Sequence, residues 1–417
     1  MHDKRKKVIL KDILEPKGYI RGPFGSALKR GELLDKGIPV YEQQHAITNS
    51  RTFRFFINNE KFETMKRFQV KDNDLIISCS GTVGCVSIIG PDDPKGIISQ
   101  ALLILRANTD IVLPQYLKYF FASREGYNAI VSRSSGSVQV NIAKREIIEQ
   151  IEIDLPDIST QRKIVKILES LDDKIAINKK ISDNLQLQLT AIFRKWFIDA
   201  PESSDWPRGT FADLIDHTIS GDWGKDAPTG NYTEMVYCIR GADIPEVKAG
   251  NKGKMPTRYI LPKNYTAKKL VDGDIVVEIS GGSPTQSTGR AAPVSESLLG
   301  RYDRGMVCTN FCKAIKPKQG YSMLVYHYWQ HLYDAGVFFG YENGTTGIKN
   351  LDINGFIDTE KIVIPPLEIV ARFDTFCQAI ANKVYANGLE NERLANLRDT
   401  LLPKLMSGEI DVSTIDI

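Results

Sequence analysis

The sequence has little of what most enzymes need. Its six cysteines (Cys79, Cys85, Cys238, Cys308, Cys312, Cys377) show no paired zinc-type spacing, and Cys308 and Cys312 stand isolated. This predicts reduced thiols, no metal site and a cytoplasmic chain. Among five histidines the one i,i+4 pair, His327 and His331, is flanked by Tyr326, Tyr328 and Trp329 without a neighbouring glutamate. Packing is its expected role, rather than metal binding. No Gly-x4-Gly-Lys-Ser/Thr loop is present. In Gly281-Gly282-Ser283-Pro284 the proline argues against a phosphate-binding helix start. An Asn-Pro-Pro-aromatic tetrad is missing, and Pro91-Asp92 is followed by no nuclease-type Glu-x-Lys. No apolar run approaches the roughly 18 residues that cross a bilayer. The polar N-terminus has no apolar core of a secretory leader. A net charge of +3 is too small for a nonspecific nucleic-acid coat. No catalysis by this chain is expected.

What the chain does have is ordinary globular composition, 42% hydrophobic and 25% charged over 417 residues, enough for two to four domains. It also says much the same thing twice. Asp74-Leu75-Ile76-Ile77 with Ser80-Gly81 returns as Asp274-Ile275-Val276-Val277 with Ser280-Gly281. Ile20-Arg21-Gly22 and Gly25 return as Ile219-Ser220-Gly221 and Gly224. Glu152-Ile153-Asp154-Leu155-Pro156 returns as Ile362-Val363-Ile364-Pro365-Pro366, and Ser135-Gly136-Ser137-Val138-Gln139 is echoed by Asn343-Gly344-Thr345-Thr346-Gly347. The period is too long for a solenoid, so two duplicated domains and a pseudo-two-fold object are expected.

Each copy opens with short β-rich runs punctuated by Gly, Ser, Asn and Pro: Asp74–Cys79, Val83–Ile89, Ile97–Arg106 and Ile151–Leu155, then Asp274–Ile279, Val307–Lys316 and Ile362–Ile364. Tyr116–Ser123 and Leu324–Tyr333 read as helices packed on those sheets. A different pattern follows. From 158 to 198 there is neither Pro nor Gly, and apolar residues fall at Ile164, Leu168, Leu171, Ile175, Leu185, Leu189, Ile192 and Trp196, with Asn178 and Ser182 in the gap. The second copy runs Phe373, Phe376, Ile380, polar Lys383, Asn387 and Glu390, then Leu394, Leu397 and Leu401. Steps of four and three are those of a coiled-coil seam. If the two helices pair antiparallel, Asn178 meets Asn387, Trp196 approaches Phe373 and Ile164 approaches Leu401. The alternative is two amphipathic helices, each packed on its own domain. The expected fold is α+β: domains 1–155 and 201–366, a first spacer helix in 156–200, and a second spacer helix with tail in 367–417.

The helix motifs resemble a known family. Leu397-Arg398-Asp399-Thr400-Leu401-Leu402-Pro403-Lys404-Leu405-Met406-Ser407-Gly408-Glu409-Ile410 resembles the end of specificity subunits of type I restriction–modification enzymes. So do Pro365-Pro366-Leu367-Glu368, Leu155-Pro156 with Gln161-Arg162, and Ile192-Phe193-Arg194-Lys195-Trp196-Phe197. The opening Pro156-Asp157-Ile158-Ser159-Thr160-Gln161 departs from the family's commoner Pro-Leu-x-x-Gln form. The resemblance implies a non-catalytic subunit whose two target recognition domains each read half of a bipartite, asymmetric duplex sequence. It implies helices that pair antiparallel, set the spacing and dock two methyltransferase subunits, through which restriction subunits assemble. S-adenosylmethionine, ATP and Mg²⁺ would belong to those partners. From Ile164 to Trp196 a helix spans about 48 Å at ~1.5 Å per residue, on the order of 14 base pairs.

Reading duplex DNA takes phosphate contacts for position and polar side chains for base edges. The candidates in the first domain are Lys29, Arg30, Gln43, Gln44, Arg51, Ser80, Thr82, Arg133, Ser135, Ser137 and Gln139. In the second they are Trp223, Lys225, Arg240, Ser283, Gln286, Ser287, Thr288, Arg290, Thr345, Thr346 and Lys349. Unequal loops, Ser80-Gly81-Thr82-Val83-Gly84 against Ser280-Gly281-Gly282-Ser283-Pro284-Thr285-Gln286, predict different half-sites. Two other readings share these features: the specificity module of a methylation-only or type II-like system, and a coiled-coil adaptor that binds protein.

Overall fold

A computed structural model describes residues 5–131, 142, 144–283, 285–344, 348–413 and 415. The chain divides into two compact units, Met1–Asp173 with Ala395–Ile417, and Lys174–Leu394. Both divisions fall inside long helices, so each unit holds one globular half and part of each helix.

In the first unit β1 (Leu14–Arg21), β2 (Leu75–Ser78), β3 (Val86–Ile88) and β4 (Leu102–Ala107) form an antiparallel sheet in the order β1-β4-β2-β3. The central strand β2 is apolar at Leu75, Ile76 and Ile77 because both of its faces are buried. One face packs with Tyr116, Leu117 and Phe120 of helix α1 (Pro114–Ala122); the other packs with Tyr41, Ile98 and Ile104. The long helix α2 (Ile158–Phe193) is fastened here by the buried Gln161. Its Oε1 accepts from the Leu113 N–H at 2.8 Å, and its Nε2 donates to the Pro156 carbonyl at 2.9 Å.

The second unit repeats the plan. Strands β5 (Ile215–Ser220), β6 (Ile275–Glu278), β7 (Ala291–Pro293) and β8 (Cys312–Pro317) run antiparallel in the order β5-β8-β6-β7, backed by helix α3 (Ser322–Asp334). The second long helix, α4, is Leu367–Ser407. Each unit also has a three-stranded sheet with one antiparallel and one parallel pairing: Phe56–Ile57, Ile38–Tyr41, Ile97–Ile98 and Thr257–Ile260, Glu234–Ile239, Met306–Cys308. The repeat in the sequence is therefore a repeat of topology.

A buried acid opens each central strand. Asp74 accepts from Arg106 Nε and a second guanidinium N–H at 2.7 and 2.8 Å, and from the Lys71 N–H at 2.7 Å. Asp274 pairs with Lys316 and accepts from the Val271 N–H at 2.8 Å. Burial pushes both carboxyls upward in pKa against the pull of these partners.

Two runs read from the sequence as single strands are each broken. Ile97–Arg106 and Val307–Lys316 divide into Ile97–Ile98 and β4, and into Met306–Cys308 and β8. In each, the chain leaves a parallel pairing in the small sheet and crosses into the large one. Gly22 and Gly221 lie against these crossings, where a Cβ would collide with the carbonyl of Ser99 or Thr309. Apolar runs carry no signal for such a change of sheet.

The long helices pair antiparallel. In the first unit Ile164, Val165 and Leu168 of α2 share a core with Leu402, Leu405 and Met406 of α4, and Leu401 packs against it. Asp172 accepts from Arg398 at 2.8 Å and from the Tyr119 hydroxyl at 2.7 Å. In the second unit Leu189, Phe193 and Phe197 pack with Val370, Phe373, Cys377 and Ile380; Leu185, Ile192 and Trp196 line that core, and Trp196 lies 6.1 Å from Phe373. Asn178 and Asn387 are both buried, while Leu171, Ile175 and Leu394 are half-buried. The phase expected for α4 needs correction. Phe376 and Leu397 are 42% and 47% exposed, and Lys383 is exposed; Cys377 and Val384 take the inward positions. From Phe373 the steps run four then three, because the packing of Val370, Phe373 and Cys377 on the second unit's core sets the helix rotation. Relative hydrophobicity had favoured Phe376 over its neighbour.

Candidate nucleic-acid interface

In the first unit the end of β1, the turn after β2, the crossing loop before β4 and the helical turn at Arg145 enclose an open groove of about 890 Å³. Arg21, Phe24, Arg67, Ser80, Gln100, Lys144 and Arg145 line it. The Arg145 guanidinium lies over the Tyr19 ring at 5.2 Å and bonds Glu149 at 2.7 Å. Arg21 lies 5.4 Å from the centre of the exposed Phe24 ring. Burial raises the Tyr19 phenol to about 12, so it remains a neutral hydroxyl. With Arg21, Arg67, Lys144 and Arg145 against the one acid Glu146, the groove is net cationic, and its amide and hydroxyl groups match phosphates and base edges.

Of the first-domain candidates, Ser80 lies in this groove. Lys29, Arg30, Gln44 and Thr82 are exposed and Gln43 is half-buried. The Lys29 backbone N–H donates to Glu32 at 2.8 Å. Arg51 is turned inward: it donates to Asp93 Oδ2 at 2.7 Å and to the Ile88 carbonyl at 2.9 Å. Its guanidinium braces the fold. Arg133, Ser135, Ser137 and Gln139 lie outside the described residues.

The second domain's candidates divide in the same way. Trp223, Lys225 and Gln286 are exposed and Ser283 is half-buried in a turn closed with Gln286, its N–H donating to the Gln286 carbonyl at 2.7 Å. Lys225 sits 5.6 Å over the Tyr232 ring. Ser287 and Thr288 are buried, and Thr288 donates to Glu342 through its N–H and its hydroxyl. Arg290 makes a paired contact with Glu278 at 2.8 and 2.6 Å. Arg240 is held by Asp243 at 2.9 Å and Lys349 by Glu342 at 2.6 Å. Burial opposes ionisation of Glu342, but Lys349 and the two Thr288 donors outweigh it and hold the carboxyl below its usual range. Thr288, Arg290, Arg240 and Lys349 hold the loops rather than extend from them. Thr345 and Thr346 lie outside the described residues.

Residues 5–187 match the type I restriction modification DNA specificity domain. The chain is 24% identical to the specificity subunit of the type I restriction enzyme HindI of Haemophilus influenzae, over 75% of this chain and 81% of that one. It is 24% identical to the MjaIX specificity subunit of Methanocaldococcus jannaschii, over 73% and 71%. The chain is thus similar to type I restriction–modification specificity subunits, and residues 5–187 carry their DNA specificity domain. Its fold is that of the S subunit of M. genitalium, whose crystal structure superposes with a TM-score of 0.54 at 13% identity, covering 96% of both chains.

Arg21, Phe24, Arg67, Gln100, Lys144 and Arg145, which line the groove, were not among the sequence candidates. They come from four separated segments that only folding brings together. The one available signal was Arg21, inside the repeated Ile-x-Gly phrase. The histidine pair lies elsewhere: His327 is buried against Phe193 and Phe373, with ring centroids at 5.9 and 5.3 Å. Among the described residues no group of three or more His, Cys, Asp or Glu is placed to hold a metal ion. No helix among them is long and apolar enough to cross a membrane.

Proposed function

We propose that this chain, as a specificity subunit, reads a bipartite duplex sequence, one half-site per globular unit, with the paired helices α2 and α4 setting the unspecified gap. The observation that carries this reading is the repeated β1-β4-β2-β3 order, present once in each unit together with part of both long helices. Different half-sites are supported by the turns that follow the central strands. In the first unit the turn closes on itself, with Ser78 Oγ donating to the Thr82 carbonyl at 2.5 Å. In the second, Ser280–Gly281 joins a small sheet with Glu342–Asn343 and Lys349–Leu351.

The subunit performs no chemistry of its own in this reading. Methyltransferase subunits dock on it and restriction subunits assemble through them, and S-adenosylmethionine, ATP and Mg²⁺ serve those partners. Exposed apolar side chains on the long helices, Leu187 at 71% exposure with Ile177, Leu389 and Leu397, supply surface for docking.

The experiment is a methylome comparison of cells with and without this chain, followed by duplex binding measured across salt with the methyltransferase present. One asymmetric two-part motif that disappears with the chain, bound with a steep salt dependence, is the expected result. Identical inverted half-sites would remove the asymmetry, and salt-insensitive or absent binding would remove the DNA-reading role.

A further inference from the structure

The duplication sets Phe24 in Gly22-Pro23-Phe24-Gly25 and Trp223 in Gly221-Asp222-Trp223-Gly224, each just after the edge strand of its sheet. The first glycine of each phrase lies against the crossing loop, and the last has a φ of +65° or +59°, a conformation that favours glycine. Both rings are exposed, at 59% and 39%. Each ring has a guanidinium over it: Arg21 at 5.4 Å from Phe24, Arg258 at 4.1 Å from Trp223. Arg258 is buried, pairs with Asp226 and also donates from Nε to the Trp223 carbonyl at 2.8 Å, so it props the ring rather than offering a free charge.

The two arginines come from unrelated positions, one ending the strand that precedes its ring and one on Thr257–Ile260. A ring propped by a cation has thus been built twice with different parts, which mere inheritance of a surface aromatic does not require. The bland account, a single wet aromatic of the kind every protein surface carries, explains one such ring and not the pairing. In the first unit the ring also lines the cationic groove with Arg67, Gln100, Lys144 and Arg145.

We propose that Phe24 and Trp223 are equivalent stacking residues, each inserting its ring at an opened base step of its own half-site, a role that rests on the duplex-reading function above. A flat face with a cation beside it suits a π-faced, anionic polymer, and such stacking tolerates differences of sequence. That tolerance lets one device serve two unequal half-sites.

The test uses the full chain assembled with its methyltransferase subunits and a duplex carrying the target found by methylome sequencing. Phe24→Ala and Trp223→Ala are each expected to weaken binding roughly tenfold to hundredfold. The salt slope stays at the wild-type value, since a neutral ring releases no counterion. Trp223→Phe retains most of the affinity, whereas Trp223→Leu, bulky without a π face, behaves as alanine does. With the duplex truncated so that one half-site is absent, one alanine variant loses its effect and the other keeps it. Unchanged thermal unfolding shows that the variants are folded. Wild-type affinity in both alanine variants, or a shallower salt slope, overturns the stacking role alone. A wild-type assembly that binds no duplex overturns the reading function as well.

Discussion

Asn387 donates from Nδ2 to Ser182 Oγ at 3.1 Å and to the Asn178 carbonyl at 3.3 Å, burying a polar contact within the helix seam. Asn178 in turn donates to Glu390 Oε2 at 2.7 Å and to Asn391 Oδ1 at 3.0 Å. Asn387 Oδ1 has no hydrogen-bond partner among the described residues. The cluster fixes which residues face each other and costs stability in doing so, as a buried asparagine does in other coiled coils.

The first prediction follows from that cost. Asn178→Leu combined with Asn387→Leu is expected to raise the midpoint of thermal unfolding, by an amount corresponding to about 1–3 kcal/mol. The same variant loses uniqueness of helix register, read as broadened amide resonances or a second oligomeric species. A lower midpoint would show that the polar cluster stabilises the seam outright.

Arg106→Ala leaves Asp74 buried without its cation. The expected loss is about 3–5 kcal/mol near neutral pH, measured by urea unfolding of the full chain. The deficit narrows as pH falls, because a carboxyl already pushed upward by burial protonates more readily once its guanidinium is gone. A deficit that stays constant between pH 7 and 5 contradicts this account.

His327 gives a pH dependence with the opposite slope. Burial pushes its imidazole down to about 3 from 6.5, so the folded protein holds it neutral while the unfolded chain protonates it first. Its contribution is complete above pH 6.5 and is lost as pH falls from 6.5 towards 3, at about 1.4 kcal/mol per unit. Replacement by phenylalanine, compatible with the Phe193 and Phe373 rings around it, is expected to flatten that part of the stability profile.

The spacing role carries its own test. Inserting one heptad into the middle of both α2 and α4 preserves the alternation of four and three and lengthens each helix by about 10 Å. If the helices set the gap, the target's unspecified spacer widens by roughly three base pairs with both half-sites unchanged. An unaltered spacer in the methylome of cells carrying the insertion would refute it.

How much of this was legible beforehand follows from the range of each interaction. Duplication, helix boundaries and polar seam centres are written locally, as repeated phrases and as periodicity, so Asp74 and Asp274, Asn178 and Asn387 could be named without coordinates. The family motifs likewise sit in contiguous runs such as Leu397–Ile410. Three matters were decided only by the tertiary structure. The rotation of α4, which turns Cys377 inward and Phe376 out, is set by the core it packs on. The fate of the cations depends on which acids folding brings to them: Arg51 on Asp93, Lys349 on Glu342 of the paired strand. The groove of Arg21, Arg67, Gln100 and Arg145 gathers segments that no short window of sequence contains. Local pattern determines which elements form, but whether a charge is free to meet a ligand depends on every neighbour that folding brings to it.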